Sequence, residues 1–429
     1  MERFNSNWKK ALIMILGVII ILDSGCGKKM NETTISGDYE IFLATDLHFL
    51  SPNLNDNGSF FTEMMDGADG KMTGYSNEII EAFFREVIEA KPDCLVLSGD
   101  LTFNGEKDSH IMLADKLKQV EEAGIAVLVI PGNHDINKEG AAGFQGDGYT
   151  LVDSVSQKEF EEIYEDFGVS KAASRSESSF SYTYDTGKGY WILCVDANSE
   201  MRPGSVDDQT LKWIEKRLKE AKEKGIRILA VSHQNLLVHS NLFSFGYQIY
   251  NGDELYKLYE KYDVALNLSG HMHLQHSMQE SGVTEIATSS LTVYHCQYGV
   301  VELSAEDINY STRNTDVEAW AKKYEISDPN LTDFKNYSSD YFDRITSSKL
   351  AGQIEEMGVS EEETALMIQY AKNVNKAYFS GRLDQLQQDE EAEKLWQRDD
   401  LELFFSRYLS EIQREEKKDH TVFHYQYQE

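Results

Sequence analysis

The stretch Ala126-Val127-Leu128-Val129-Ile130-Pro131-Gly132-Asn133-His134-Asp135 joins five consecutive apolar residues to a proline, a glycine and three polar side chains. A short apolar run bounded by Pro and Gly reads as a buried strand, and here its carboxyl end delivers an amide, an imidazole and a carboxylate to one place. The pattern repeats upstream. Ile41-Phe42-Leu43-Ala44 runs into Asp46-Leu47-His48, and Cys94-Leu95-Val96-Leu97 runs into Ser98-Gly99-Asp100. Side chains alternate along an extended chain, so Asp46 and His48 point the same way at their strand's end. Gly99 lets the backbone turn tightly under a ligand beside Asp100. Apolar spacings of three and four over 79–90 and 110–123 predict helices between these strands, which gives the order β-α-β-α-β.

Downstream, runs at 180–184, 190–195, 226–231 and 264–268 predict further strands, with an amphipathic helix over 207–224. Two of the runs end like the first three: Val231-Ser232-His233 and Gly270-His271-Met272-His273. Five of the 11 histidines thus fall at strand ends beside Asp, Asn or Gly, too many for scattered surface or core histidines. Two divalent cations ~3.5–4 Å apart need several N and O ligands converging from different strands, one of them a bridging carboxylate. This set supplies them. Mixed imidazole, carboxylate and amide ligands suit Mn, Fe or Zn and serve Mg poorly, because Mg favours all-oxygen octahedra.

The blocks D-x-H, G-D, G-N-H-D, a later H and G-H-x-H, in that order over residues 40–305, resemble the calcineurin-like metallophosphoesterase superfamily. The resemblance implies a layered α/β fold, a metallophosphoesterase β-sandwich flanked by helices. It implies that Asp46, His48 and His273 hold one metal, that Asn133, His233 and His271 hold the other, and that Asp100 bridges them. His134 is then left to face the scissile phosphate, with Asp135 as its candidate orienting partner. The segment Val195-Asp196-Ala197-Asn198 and the stretch from Gly204 through Trp213 resemble the part of these enzymes that precedes the lone metal-binding histidine. Manganese or an iron-containing pair is favoured on the same resemblance, with zinc as the other option. A water acidified by two such cations, to a pKa of about 7, needs no serine or cysteine nucleophile.

The wording Gly99-Asp100-Leu101-Thr102, with Asn104-Gly105-Glu106 and His134-Asp135-Ile136-Asn137, is similar to class III cyclic-nucleotide phosphodiesterases of the bacterial lipoprotein type. No G-D-x-x-D-R-G block points toward the Ser/Thr protein phosphatases. The expected activity is therefore phosphodiester hydrolysis on a small substrate, a nucleotide, with a cyclic nucleotide first. A phosphomonoesterase or nucleotidase, a cell-envelope phosphodiesterase, and a non-catalytic binding scaffold on the same fold are the alternatives. The Gly-rich segment 138–149, with Phe144, shows no periodicity and is expected to be a loop, either mobile surface or a base-stacking element.

With 41 Lys and Arg against 73 Asp and Glu, the formal net charge of −32 repels a nucleic-acid polymer. The N-terminus carries Arg3, Lys9 and Lys10 and then an apolar run over 11–22, too short to span a bilayer, which reads as a signal peptide over 1–25. Leu22-Asp23-Ser24-Gly25-Cys26 resembles a bacterial lipobox. It implies a lipid anchor on Cys26 and a location at the bacterial cell membrane, outside the cytoplasm, with Asp23 departing from the pattern. A polar tether over 26–36 leads to a catalytic domain over 37–305. The remaining cysteines, Cys94, Cys194 and Cys296, show no C-x-x-C spacing and read as buried apolar residues. Past Ser304 strand signals are expected to stop and a smaller helical domain, 306–429, to begin. There Ser360-Glu361-Glu362-Glu363 is a capping box opening a helix with Leu366, Met367, Tyr370 and Ala371 on one face. Its aromatics, Trp320, Tyr341, Phe342, Trp396, Phe404, Phe405 and Tyr408, are expected to build a bundle core, with a ligand platform as the alternative. Oligomeric state leaves no trace in the sequence.

Overall fold

The structure, a computed structural model, describes residues 35, 37–199, 202–397, 404–415 and 417–428. The signal peptide, Cys26 and nearly all of the tether lie outside these residues. Strands are β1 (Tyr39–Ala44), β2 (Cys94–Ser98), β3 (Ala126–Ile130), β4 (Ala142–Gln145), β5 (Gly148–Leu151), β6 (Ser174–Arg175), β7 (Tyr182–Asp185) and β8 (Tyr190–Val195). They continue with β9 (Arg227–Ser232), β10 (Leu266–Ser269), β11 (His276–Glu280), β12 (Val283–Ala287), β13 (Gln297–Leu303), β14 (Asp307–Asn314) and β15 (Val422–Gln426). Helices α1 (Ser59–Asp66), α2 (Ser76–Ala90), α3 (Lys107–Glu122), α4 (Gln157–Tyr164), α5 (Asp208–Lys224) and α6 (Gly252–Lys261) lie among the strands. Six more, α7 (Val317–Lys323), α8 (Pro329–Thr332), α9 (Phe334–Met357), α10 (Glu361–Phe379), α11 (Glu390–Trp396) and α12 (Phe404–Ile412), follow β14.

Two sheets form the sandwich, ordered β15-β14-β13-β1-β2-β3 and β11-β12-β10-β9-β8-β7-β6. Parallel strands buried on both faces need near-continuous apolar sequence, and β1, β2 and β3 supply it. Alternation in β8 sorts its side chains: Tyr190, Ile192 and Cys194 enter the core shared by the two sheets, while Trp191, Leu193 and Val195 face the cluster built with α5 and α6. Helices α2 and α3 close the opposite side through Ile79, Phe83, Leu113 and Leu117. The layers are therefore helix, sheet, sheet, helix, as the sequence predicts. Cys94, Cys194 and Cys296 are buried and unbridged. No helix among the described residues is long and apolar enough to cross a membrane.

Two expectations are corrected. Strand pairing continues past Ser304, because β14 pairs with β13 and the chain returns from the last helices as β15, which pairs with β14 (Ile308 opposite Tyr425). In β14 the polar–apolar alternation is confined to Asp307–Ser311, with Ile308 and Tyr310 its only buried apolar residues, and β15 is a short edge strand with alternate residues exposed, so each carries only a brief signal. The segment 138–149 is not an irregular loop either: β4 and β5 form a hairpin around Gly146-Asp147. Phe144 is buried with Leu50, Phe61 and Met65 and packs on Phe60 and Phe103, so it serves a small core rather than a substrate. The helical region follows the expected pattern at α10, where Ser360 and Glu363 form the capping box and Met367, Tyr370 and Ala371 are buried.

Candidate metal centre

Register sets the site. Ala44 stands opposite Leu97 and Leu97 opposite Val129, so the chain leaving β1, β2 and β3 emerges along one edge. In the second sheet Val231 stands opposite Leu268, which brings the ends of β9 and β10 level. Five of the seven expected metal ligands take left-handed backbone: Asp46 (φ 52°), His48 (42°), Asp100 (47°), His271 (69°) and His273 (60°). Such conformations cost of order 1–3 kcal/mol each in non-glycine residues and persist where the surrounding structure enforces them, as at functional sites. Glycines make the close approach possible. At Gly99 (φ 96°) a Cβ would lie 2.6 Å from His233 Nδ1, and at Gly132 it would collide with the backbone nitrogen and carboxylate of Asp100.

The side chains gather in two groups that share Asp100. In the first, His48 Nε2 lies 3.0 Å from His273 Nε2, 3.9 Å from Asp46 Oδ1 and 3.8 Å from Asp100 Oδ2, and His273 Nε2 lies 3.4 Å from Asp46 Oδ1. In the second, His233 Nε2 lies 3.3 Å from Asp100 Oδ1 and 3.0 Å from Asn133 Oδ1, with the His271 ring 5.0 Å from the His233 ring. Ligand atoms of Asp46, His48, Asp100 and His273 fall within 4.8 Å of one another, as do those of Asp100, His233 and His271. Asp100 therefore offers one carboxylate oxygen to each group.

The outer nitrogens are tied to the protein. His233 Nδ1 donates to Ser98 O (2.9 Å), His271 Nε2 donates to Gly246 O (2.9 Å), and His273 Nδ1 lies 3.5 Å from the Asp69 carboxylate. Such contacts fix ring orientation and leave the other nitrogen for a ligand. Asp46 Oδ1 and His271 Nδ1 are buried with no hydrogen-bond partner, which fits groups that wait for a cation. Charge agrees. Burial pushes the Asp100 carboxyl up, but the His233, His134 and His48 imidazoles outweigh it and hold the group well below its ordinary value. Burial drives His48 well below and His271 down to about 4, so both stay neutral. Burial also lowers His233, yet the carboxylates of Asp100 and Asp46 pull it up to about 9, and the attraction that holds a proton there is the attraction that would hold a cation.

His134 belongs to neither group. Its N–H donates to Asp100 Oδ1 (2.7 Å), its ring meets the His48 ring edge-on at 5.1 Å, and its Nδ1 is buried without a partner. Burial lowers its pKa. Asp135 does not orient it. That carboxylate accepts the N–H groups of Gly132, Leu101 and Thr102, so it ties the loop after β3 to the loop after β2. Asn198 braces the same region by donating to Pro131 O (3.1 Å) and Gln234 Oε1 (2.9 Å). Sequence reasoning missed Asp69 and Lys71, which sit on an irregular segment after α1 with no periodicity to mark them; Lys71 Nζ is 3.5 Å from Asp69 Oδ2 and buried.

Residues 39–275 match the family described as calcineurin-like phosphoesterase. The chain belongs to the calcineurin-like phosphoesterase family. Residues 316–419 match the C-terminal domain of cyclic nucleotide phosphodiesterase. This phosphoesterase is 24% identical, over 53% of its length and 76% of the relative's, to a probable cyclic nucleotide phosphodiesterase of Moraxella catarrhalis (strain BBH18). A probable glycerophosphodiester phosphodiesterase of Arcobacter nitrofigilis is 24% identical over 43% of this chain and 58% of its own. A dimetal phosphatase from Danio rerio superposes with a TM-score of 0.49 at 12% identity, covering 65% of this chain and 96% of that one. Membership makes the protein a hydrolytic phosphoesterase of a family that uses a dinuclear metal centre.

Proposed function

We propose that this phosphoesterase is a cyclic-nucleotide phosphodiesterase in which Asp46, His48, His273 and Asp100 hold one divalent cation and Asp100, Asn133, His233 and His271 hold a second. The observation that carries the reading is Asp100, whose Oδ1 and Oδ2 face different ligand groups from one buried carboxylate. Two divalent cations held by these residues, manganese or iron before zinc, would acidify water at neutral pH and would offset the negative charge of a phosphoester. His134, free of both groups and lining the cavity above them, donates its ring N–H toward the leaving oxygen as the P–O bond opens. Asp135 and Asn198 act through backbone: they hold the loops that carry Asp100 and Asn133 in place. The net charge of −32 does not oppose this, because an anionic substrate meets local rather than total charge.

Mn²⁺-loaded protein should hydrolyse 3′,5′-cyclic nucleotides and bis(p-nitrophenyl) phosphate faster than p-nitrophenyl phosphate. Asp100→Ala should abolish the activity and His134→Ala should lower kcat by about 10²–10⁴-fold. Full activity in both variants overturns the mechanism, and a preference for the monoester moves the protein to a phosphatase or nucleotidase. The proposal also places the enzyme outside the cytoplasm, held at the cell membrane by a lipid on Cys26, on the strength of the basic and apolar N-terminal residues. Mass spectrometry of the mature N-terminus tests that: acylated Cys26 is expected, and an unmodified chain starting at Met1 overturns it.

A further inference from the structure

The metal centre forms one side of a cavity of about 580 Å³, and the other side is built from α9, α10 and α12. That far wall is largely apolar and aromatic. Phe342 of α9 and Phe379 of α10 meet edge-on, with ring centroids 5.2 Å apart at 66°, and Phe404 of α12, about half exposed, packs on Phe243 elsewhere in the lining. Thr346, Lys349, Gln353 and Asn375 interrupt the wall with polar groups. Asn375 Nδ2 donates to Thr346 Oγ1 (3.2 Å), while Asn375 Oδ1 is buried and has no hydrogen-bond partner. A buried acceptor of this kind is costly unless the occupant of the cavity donates to it. A purely hydrocarbon occupant would leave it unpaired, and a glycerol or other small polyol would leave the apolar part of the wall uncovered. A flat heteroaromatic ring with an N–H donor at its edge satisfies both, with its phosphate at the metal centre across the cavity.

We propose that the C-terminal helices are the nucleobase-reading wall of the active site: the base packs on Phe342 and Phe379, and its exocyclic amino group donates to Asn375 Oδ1. The inference rests on the phosphodiesterase reading above and adds to it the substrate class, a nucleotide whose base carries an amino group, adenine before uracil. The arrangement assigns chemistry and selectivity to different parts of the chain. Residues of the strand ends act on the phosphate, and residues from 342 to 379 choose what is attached to it.

The test uses the full chain with Mn²⁺ and two substrates that differ only in the base edge, 3′,5′-cyclic AMP and the 3′,5′-cyclic monophosphate of purine riboside, the second lacking the amino group and any other N–H donor on the base. Wild type should favour cyclic AMP by about tenfold in kcat/KM, the worth of one buried hydrogen bond. Asn375→Leu should bring the two substrates level by raising KM for cyclic AMP. Equal rates for the two cyclic nucleotides in wild type overturn the inference, and so does a preference that Asn375→Leu leaves intact. That comparison stands in wild type even if the variant does not fold. Hydrolysis of bis(p-nitrophenyl) phosphate without hydrolysis of either cyclic nucleotide also overturns base reading, whereas loss of every activity in metal-loaded wild type strikes the phosphodiesterase reading itself.

Discussion

The strand ends and the helical wall face each other across one cavity but are made in opposite ways. At the strand ends, function is local. Asp46, His48, Asp100, His271 and His273 are held in left-handed backbone within a few residues of a parallel strand, and Gly99 and Gly132 leave room for them. In the wall, function is tertiary. Phe342, Asn375 and Phe379 sit on regular helices and face the site only because α9 and α10 pack beside the loop after β10, where Met272 and Leu274 join Leu350 and Met367 in one apolar cluster. A strained, crowded site fails all at once when one atom is added, whereas a wall built of side chains on rigid helices degrades by degrees.

The largest effect is expected from the smallest change. Gly132→Ala places a methyl group against the backbone and carboxylate of Asp100, so it should displace the shared ligand. Elemental analysis should then find both cations depleted, with catalysis lost and the far-ultraviolet circular dichroism retained. A Gly132→Ala protein that keeps two cations per chain would show the site to be more pliant than its packing indicates. His134→Ala sharpens the comparison from inside the same half. Because His134 holds no cation in the proposed arrangement, the loss should fall on kcat, about 10²–10⁴-fold, while metal content stays unchanged. Loss of metal in this variant would make His134 a ligand instead.

The same contrast explains what could be read from the sequence. Each strand end announces itself, since an apolar run and an adjacent Asp, Asn or His, with a glycine between them in three of the five, occupy ten residues or fewer, and parallel pairing converts those local motifs into one site. The helical wall gives no such signal: Phe342, Phe405 and Tyr408 are buried aromatics on regular helices that also line the cavity, and nothing local separates a cavity-facing aromatic from one that only fills a core. Asp69 and Lys71 were hidden for a related reason, because an irregular segment has no period from which a facing direction can be inferred. The hairpin β4–β5 shows the reverse error. Its Gly-rich composition resembles a mobile loop, yet Phe144 buries itself against Phe61 and Met65.

Truncating the wall should give the graded response. Phe379→Ala removes a ring from the aromatic pair, and base–aromatic stacking is worth about 1–3 kcal/mol per base by alanine substitution. KM for a cyclic nucleotide should therefore rise by roughly 5–150-fold with kcat and metal content little changed, since the ring touches no metal ligand in the proposed pose. A fall in kcat of the same size at unchanged KM would place Phe379 in transition-state positioning rather than in binding.

The smallest effect concerns how the wall is attached. Near the end of the chain, His420 Nδ1 accepts the Ser277 N–H (3.0 Å) and its ring stacks on His276 at 4.2 Å, joining the segment after α12 to β11. His276 in turn meets Glu415 (3.3 Å) and His239 (3.0 Å), and His239 meets Glu285 (3.2 Å). Burial, with the imidazoles of His276 and His239 and the ammonium of Lys418 nearby and only Asp384 opposing, lowers His420 from 6.5 to about 3; burial lowers His276 as well. An imidazole whose pKa is depressed by folding binds fewer protons in the folded than in the unfolded chain between those two values, so stability rises with pH across that window. The contribution of His420 is complete above about pH 6.5 and is lost as the pH falls toward about 3. Acid also strips cations from the strand ends, so the informative quantity is a difference. The melting temperature of wild type minus that of His420→Leu should be largest at pH 7 and shrink steadily by pH 4. A difference that holds constant over that range would mean that His420 fastens the helical region by packing alone, with its charge state playing no part.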